Sequence, residues 1–152
     1  VLGVIYVPVT GELYVGVAGE GALKAQCPAD QPVDPTAAMA GADILPLPKG
    51  DRPYTAVASR SHLSPETEAF IEELKQEHGE VVTISKGSSL KLCMVAEGKA
   101  DCYPRFAPTM EWDTAAGQGI CMAAGFDVID QDSGVTMRYN REQLLNAWFL
   151  VR

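Results

Sequence analysis

From residue 54 onward the sequence alternates between short strand-like runs and helix-like runs, and this alternation leaves few folds open to the chain. Strands that alternate with helices are typical of a layered α/β/α structure with a largely parallel central sheet. We therefore predict an α/β fold for this part of the chain. The predicted strands are Tyr54–Ala58, Val81–Ser85 and Asp101–Arg105, and the predicted helices run from Pro65 to about Gln76, from Ser88 to Glu97 and from Asp113 onward.

The segment before this alternation begins with a predicted β-hairpin. Val1–Val9 and Leu13–Ala18 are rich in β-branched and apolar residues, and Thr10–Glu12 supplies the turn. A hairpin alone is marginally stable in water, so it should belong to a larger sheet. No downstream segment offers an obvious neighbour, and we expect the partner strands to lie outside the chain. The unpaired edge of the hairpin would then favour self-association.

A proline-rich segment separates the hairpin from the alternating part. Five prolines fall between residues 26 and 51, which predicts a connector with one short helical turn around Ala37–Ala40. The predicted organisation is a hairpin over residues 1–25, a connector over 26–51 and an α/β domain over 52–152. Val1 opens directly into a strand-like run without an initiator Met, so we expect the chain to be part of a longer protein.

Charge and cysteine usage limit the partners. The net charge of −8 argues against nucleic acid or an anionic membrane as the main partner, because both require a basic face. No apolar run approaches the ~20 residues of a membrane span. A small anionic ligand would need local cations or a metal ion.

The sequence has four cysteines, Cys27, Cys93, Cys102 and Cys121, and their spacing is not that of a metal site. They are therefore predicted to be buried, reduced thiols in a cytoplasmic protein. Peripheral association with a membrane is left open.

An acidic residue opens the last predicted helix. Asp113 precedes a run of very small residues, Ala115–Gly117, that would let the helix backbone approach its neighbours closely. The helix N-terminal amides favour the ionised carboxylate, which could then bind a cation. The alternative is a simple helix cap, which is the commoner role for an isolated Asp at this position.

Two further strand-to-helix junctions carry polar side chains, at the edge where α/β sheets bind ligands. Ser59 and His62 follow the first predicted strand, and His62 could donate to a phosphate or face a nucleobase. Gly87 and Lys91 flank two serines after the second strand, where exposed amides and a cation suit an anion. A structural role remains the alternative at both junctions. Arg105 is either a phosphate ligand or an ion-pairing surface residue.

Taken together, these stretches resemble the 3'(2'),5'-bisphosphate nucleotidases of the magnesium-dependent, lithium-sensitive inositol monophosphatase-like superfamily. Trp112–Gly117 is similar to the specific C-terminal WDxAAG motif of that superfamily. Ser88–Lys91, Val95–Asp101 and Tyr103–Arg105 resemble the nucleotidase branch, whose bacterial members work in sulfur assimilation, and Val4–Gly11 resembles the stretch after the first catalytic half.

The resemblance implies a role for each candidate residue. Asp113 would hold Mg²⁺ against the scissile phosphate and so act in both catalysis and substrate binding. Ser59 and His62 would contact the nucleotide, and Gly87 and Lys91 would contact phosphate or ribose. The implied reaction converts the substrate 3'-phosphoadenosine 5'-phosphate to AMP and phosphate.

No DPxDGT motif, which supplies further metal ligands in the superfamily, occurs in the sequence. The chain therefore resembles the C-terminal half of such an enzyme, and we expect it to bind the metal poorly and to be inactive by itself. Two alternatives stay open: a sister phosphatase acting on inositol monophosphate or a sugar bisphosphate, and a non-catalytic nucleotide-binding α/β module.

Overall fold

The computed structural model describes residues 1–58 and 64–152. Within those residues, no helix combines the length and the apolar composition needed to cross a bilayer. The strands are β1 (Leu2–Val7), β2 (Glu12–Val17), β3 (Gly21–Gln26), β4 (Asp43–Leu45), β5 (Tyr54–Ala58), β6 (Val81–Ser85), β7 (Tyr103–Arg105), β8 (Val128–Asp130) and β9 (Phe149–Val151). The helices are α1 (Pro35–Ala40), α2 (Pro65–His78), α3 (Leu90–Ala96) and α4 (Glu111–Ala123).

The predicted element types are confirmed from residue 64 onward, with small shifts in bounds. Helix α2 begins as predicted, because the Ser64 hydroxyl accepts a hydrogen bond from the Thr67 N–H over 3.2 Å and Pro65 occupies the first turn. Helix α3 begins at Leu90 rather than at Ser88. Ser88 has a φ of 51°, in the left-handed region, which a right-handed helix does not allow.

The N-terminal hairpin is confirmed, but it is part of a four-stranded antiparallel sheet in the order β1-β2-β3-β4. The expectation that its partner strands lie outside the chain is therefore wrong for β2, which pairs with β3. Residues 26–51 also hold strand β4 in addition to the predicted helical turn. The sequence of β3, Gly21–Gln26, gave little strand signal because it has alanines and a lysine in place of β-branched residues. The unit boundaries at residues 25 and 51 stay predictions.

The remaining strands form the parallel pair β5-β6 and a three-stranded sheet in the order β7-β9-β8, and a parallel bridge joins the two. Strand β5 pairs in parallel with β6, and Ala56 makes a parallel bridge to Cys102, just before β7. Strand β9 is antiparallel to both β7 and β8. Strands β5, β6, β7 and β8 therefore run in one direction, with β9 opposite to them, so the α/β class is confirmed and the arrangement is mixed. The sequence predicts a last strand but not its antiparallel position between β7 and β8.

Helix α4 is the neighbour that the N-terminal hairpin lacked in the sequence analysis, since it packs against β1 and β2. The contact is nearly backbone to backbone: a methyl group on Gly16 would lie 2.5 Å from Ile120 Cα and 2.9 Å from the Gly119 carbonyl oxygen. On α3, Leu92 also packs closely against Gly117, where an added methyl group would lie 2.9 Å from Leu92 Cβ. The predicted use of small residues for close helix packing is confirmed.

The cysteines are also as predicted. Cys27, Cys93, Cys102 and Cys121 are free and buried. Burial raises the pKa of the Cys93 thiol to about 12 and that of the Cys102 thiol to about 11. These two thiols are therefore protonated at neutral pH and are poor nucleophiles.

Self-association through the N-terminal sheet stays a prediction. Strand β1 is an edge strand within the described residues, and Leu2, Val4 and Tyr6 on it are exposed. Unpaired backbone groups beside apolar side chains favour strand pairing between chains. We expect the scattering mass in solution to rise with concentration, and Val4→Lys to suppress the rise. A strictly monomeric chain at high concentration would contradict this prediction.

Candidate functional site

Lys91 is a buried cation near the start of α3. The residue is only 7% exposed, and its Nζ donates to the backbone carbonyls of Ser88 over 2.9 Å and of Lys86 over 3.3 Å. Nζ also lies 5.4 Å from the centroid of the Tyr103 ring. Burial, and secondarily the charge of Arg105, lower the pKa of Lys91. No carboxylate in the described residues forms an ion pair with it, so an anion nearby would stabilise its charged form.

Arg105, at the end of β7, adds a second cation. Its Nη2 donates to the Pro108 carbonyl over 2.9 Å. Its Nε is buried and has no hydrogen-bond partner among the described residues. A buried donor without a partner costs stability unless a ligand or water satisfies it. Arg105 forms no ion pair within the described residues, so of its two alternatives the structure favours the phosphate ligand.

Asp113 lies at the third position of α4 and is exposed. Its Oδ2 accepts a hydrogen bond from the Met110 N–H over 2.9 Å, so the residue does cap the helix. The capping interpretation and the ligand interpretation are compatible here, because no described residue donates a hydrogen bond to Oδ1. One carboxylate oxygen is thus left for a cation or a water.

These side chains share one cavity of about 370 Å³. The cavity brings together Gly87, Lys91 and Asp113, three of the predicted site residues. Ser59 and His62 lie outside the described residues, so their predicted roles stay predictions. The lining residues are Lys86, Gly87, Ser88, Ser89, Lys91, Leu92, Tyr103, Arg105, Thr109, Asp113 and Thr114.

A buried carboxylate, that of Glu111, holds the start of α4 in place. Glu111 accepts from the backbone N–H of Asn140 over 2.8 Å and from Nε of Arg141 over 3.0 Å. Burial opposes its ionisation, but the hydrogen bonds from Asn140 and Arg141 outweigh burial and hold the pKa of Glu111 below its ordinary value. Glu111 is therefore a structural anion rather than a free ligand.

A buried amide connects Glu111 to the cavity wall. Arg141 Nη2 donates to Asn146 Oδ1 over 3.1 Å, and Asn146 Nδ2 donates to the hydroxyls of Thr109 and Thr114. The sequence analysis missed Thr109 and Asn146. A lone threonine or asparagine gives no sequence signal, and these two are 37 positions apart.

The described residues do not by themselves form a magnesium site. They contain no group of three or more His, Cys, Asp or Glu side chains placed to hold a metal ion. Mg²⁺ requires a near-octahedral set of oxygen ligands and retains several waters. Asp113, the one acidic side chain among the cavity-lining residues, could contribute a single ligand to such a set.

Comparison with known proteins identifies the family. A family model described as "Inositol monophosphatase family" matches residues 1–149. The chain belongs to the inositol monophosphatase family. The predicted resemblance of the chain to this family is confirmed, and so is the fold expected from it.

Individual relatives agree with the family assignment. The 3'(2'),5'-bisphosphate nucleotidase CysQ of Salmonella typhimurium is 42% identical over 99% of this chain and 54% of its own length. The crystal structure of CysQ from Bacteroides thetaiotaomicron, a bacterial member of the family, superposes with a TM-score of 0.90 at 53% identity, over 99% of this chain and 57% of that one. The inositol monophosphatase-II of Staphylococcus aureus shares the fold, with a TM-score of 0.66 at 21% identity over 99% of this chain and 49% of that one.

These coverages show that the chain spans about half the length of the relatives that it matches. The family membership therefore describes this chain directly. The activity of the full-length relatives does not transfer to it without further argument.

Proposed function

We propose that this chain is part of a magnesium-dependent phosphatase that hydrolyses the 3'-phosphate of 3'-phosphoadenosine 5'-phosphate, giving AMP and phosphate. The observation that carries the proposal is the shared cavity, in which Lys91 and Arg105 lie beside the Asp113 carboxylate. The CysQ relatives named as bisphosphate nucleotidases support the choice of substrate.

The cations of the cavity suit a phosphate dianion. Within the described residues, Lys91 and Arg105 donate to backbone carbonyls and neither pairs with a carboxylate. Both side chains can therefore donate charge-assisted hydrogen bonds to phosphate oxygens without first breaking an ion pair. A methyl group on Gly87 would meet no protein atom within 4 Å, which leaves space for a ligand beside its backbone.

The carboxylate of Asp113 supplies the opposite charge. When bound, Mg²⁺ lowers the pKa of a ligated water and neutralises the charge on the phosphate. Asp113 Oδ1 would be one of its ligands, while Oδ2 stays bonded to the Met110 N–H and fixes the side-chain rotamer. The remaining ligands would come from residues outside the described part of the chain.

The proposal extends to the setting of the enzyme. From the family resemblance we further propose a role in sulfur metabolism and nucleotide recycling, with lithium sensitivity and a cytoplasmic location. Two other functions would use the same cavity: hydrolysis of inositol monophosphate or a sugar bisphosphate, and nucleotide binding without catalysis.

Calorimetry on the 152-residue chain tests the anion site. We expect adenosine 3',5'-bisphosphate to bind more tightly than inositol 1-phosphate, and Lys91→Met to weaken nucleotide binding by about tenfold or more, because a hydrogen bond to a charged group is lost. Lys75→Met is the matched control, since Lys75 is exposed on α2 and pairs with Glu72. Tighter binding of inositol 1-phosphate would favour the sister phosphatase.

Phosphate release tests the catalytic part of the proposal. We expect no turnover from the 152-residue chain with Mg²⁺, because its described residues hold no cluster of three metal-ligating side chains. A chimera that joins this chain to the part of B. thetaiotaomicron CysQ that does not superpose on it should release phosphate. Turnover by the chain alone at the rate of the chimera would contradict the proposal that the remaining ligands lie elsewhere.

A further inference from the structure

The hydrogen bonds that Asn146 makes beside the cavity each have a fixed donor and acceptor. Arg141 can only donate, so the atom of Asn146 that faces it must be the carbonyl Oδ1. The amide Nδ2 of Asn146 therefore faces Thr109 and Thr114, and it donates one hydrogen to each hydroxyl oxygen, over 3.1 Å and 3.0 Å. Glu111 holds Arg141 in place, because Arg141 Nε donates a hydrogen bond to Glu111 Oε1. We refer to Glu111, Arg141 and Asn146 as the donor relay.

The two threonines differ in what their own hydroxyl protons can do. Thr114 is buried, and its Oγ1 donates to the backbone carbonyl of Glu111 over 3.3 Å. Thr109 is only partly buried and lines the cavity. Its oxygen accepts from Asn146, and within the described residues its proton has no acceptor. The proton is thus free to be donated into the cavity.

We propose that the Thr109 hydroxyl donates a hydrogen bond to a phosphate oxygen bound beside Lys91, and that Asn146 is the positioning residue that orients it. The inference rests on the anion site proposed above and adds a substrate-contacting residue to it. Asn146 Nδ2 donates to the oxygen of the Thr109 hydroxyl and so orients it. The hydroxyl hydrogen is then left to donate a hydrogen bond to a phosphate dianion, which can only accept.

Thr109→Val tests the contact, since valine keeps the shape of the side chain and removes the hydroxyl. We expect the affinity of the 152-residue chain for adenosine 3',5'-bisphosphate, measured by calorimetry, to fall about tenfold. Thr109→Ser should restore affinity to within about twofold, because it keeps the donor. Thr10→Val is the matched control: that hydroxyl is exposed and bonds to Glu12 over 2.8 Å.

Asn146→Asp tests the direction of the relay. Aspartate can still accept from Arg141, but its second oxygen would accept the Thr109 proton and turn it away from the cavity. We expect a loss of affinity similar to that of Thr109→Val, and the double variant should bind no more weakly than either single one. A purely structural role of Asn146 would instead give additive losses.

The outcomes separate this inference from the anion site itself. If the wild-type chain binds the nucleotide and Lys91→Met weakens binding while Thr109→Val does not, the anion site stands and the Thr109 contact is wrong. If Lys91→Met has no effect either, both are wrong. Circular dichroism on Thr109→Val should show an unchanged fold, because the side chain is at the cavity surface. A fold change in that variant would assign Thr109 to stability and overturn the inference.

Discussion

Replacing Asp113 by asparagine is expected to lower phosphate release from adenosine 3',5'-bisphosphate by the CysQ chimera by about a thousandfold, because loss of a metal-ligating charge removes several kcal/mol of transition-state stabilisation. Asparagine can still accept the hydrogen bond from the Met110 N–H, so the cap of α4 is retained. Steady-state kinetics with varied Mg²⁺ concentration measures the effect. Nucleotide binding should persist, since Lys91 and Arg105 are unchanged.

Asp113→Ala separates the two roles of this side chain. Alanine removes both the charge and the cap. The Asp113→Ala chimera should therefore lose as much turnover as the Asp113→Asn chimera, and its free energy of unfolding should fall by about 1 kcal/mol in addition. If Asp113→Asn retained full turnover, Asp113 would be a cap only and the phosphatase proposal would fail at this residue. Loss of turnover with retained nucleotide binding also argues against a non-catalytic nucleotide-binding module.

Replacing Gly16 by alanine is expected to lower the free energy of unfolding by about 3 kcal/mol, since an added methyl group in a tightly packed contact forces the backbone to shift. A Cβ at this position would lie 2.5 Å from Ile120 Cα, and a backbone atom cannot rotate away as a side chain can. Urea denaturation followed by circular dichroism measures the loss.

Gly50→Ala is the control for Gly16→Ala. A Cβ on Gly50 meets no atom within 4 Å, and we expect a change within ~0.5 kcal/mol. Equal stability of the Gly16 and Gly50 variants would mean that β2 does not pack against α4 as described. The same measurement on Gly3→Ala should repeat the large loss, because its Cβ would collide with the Ala116 carbonyl oxygen.

Features that depend on local sequence were predictable. Two five-residue runs predicted strands β5 and β6 with their observed bounds, and the pair Ser64-Pro65 predicted the start of helix α2. The small residues of α4 indicated close packing, and strand-to-helix junctions indicated that Gly87, Lys91 and Asp113 would meet. Each of these signals lies within a few residues of the feature that it predicts.

Other features required the tertiary structure because they join residues far apart in the chain. Strand β3 forms through its pairing with β2 and β4, which overrides its weak propensity. Asn146 donates hydrogen bonds to two threonines that lie 37 and 32 positions earlier in the chain.

The sequence by itself determined the α/β class, the family motif and the charges of the cavity, since side-chain chemistry and periodicity are local properties. Only the tertiary structure decided that Gly16 packs on α4, that β9 inserts between β7 and β8, and that Thr109 lines the cavity. Those outcomes depend on which surfaces come into contact, and contact between distant segments leaves no pattern in either segment alone.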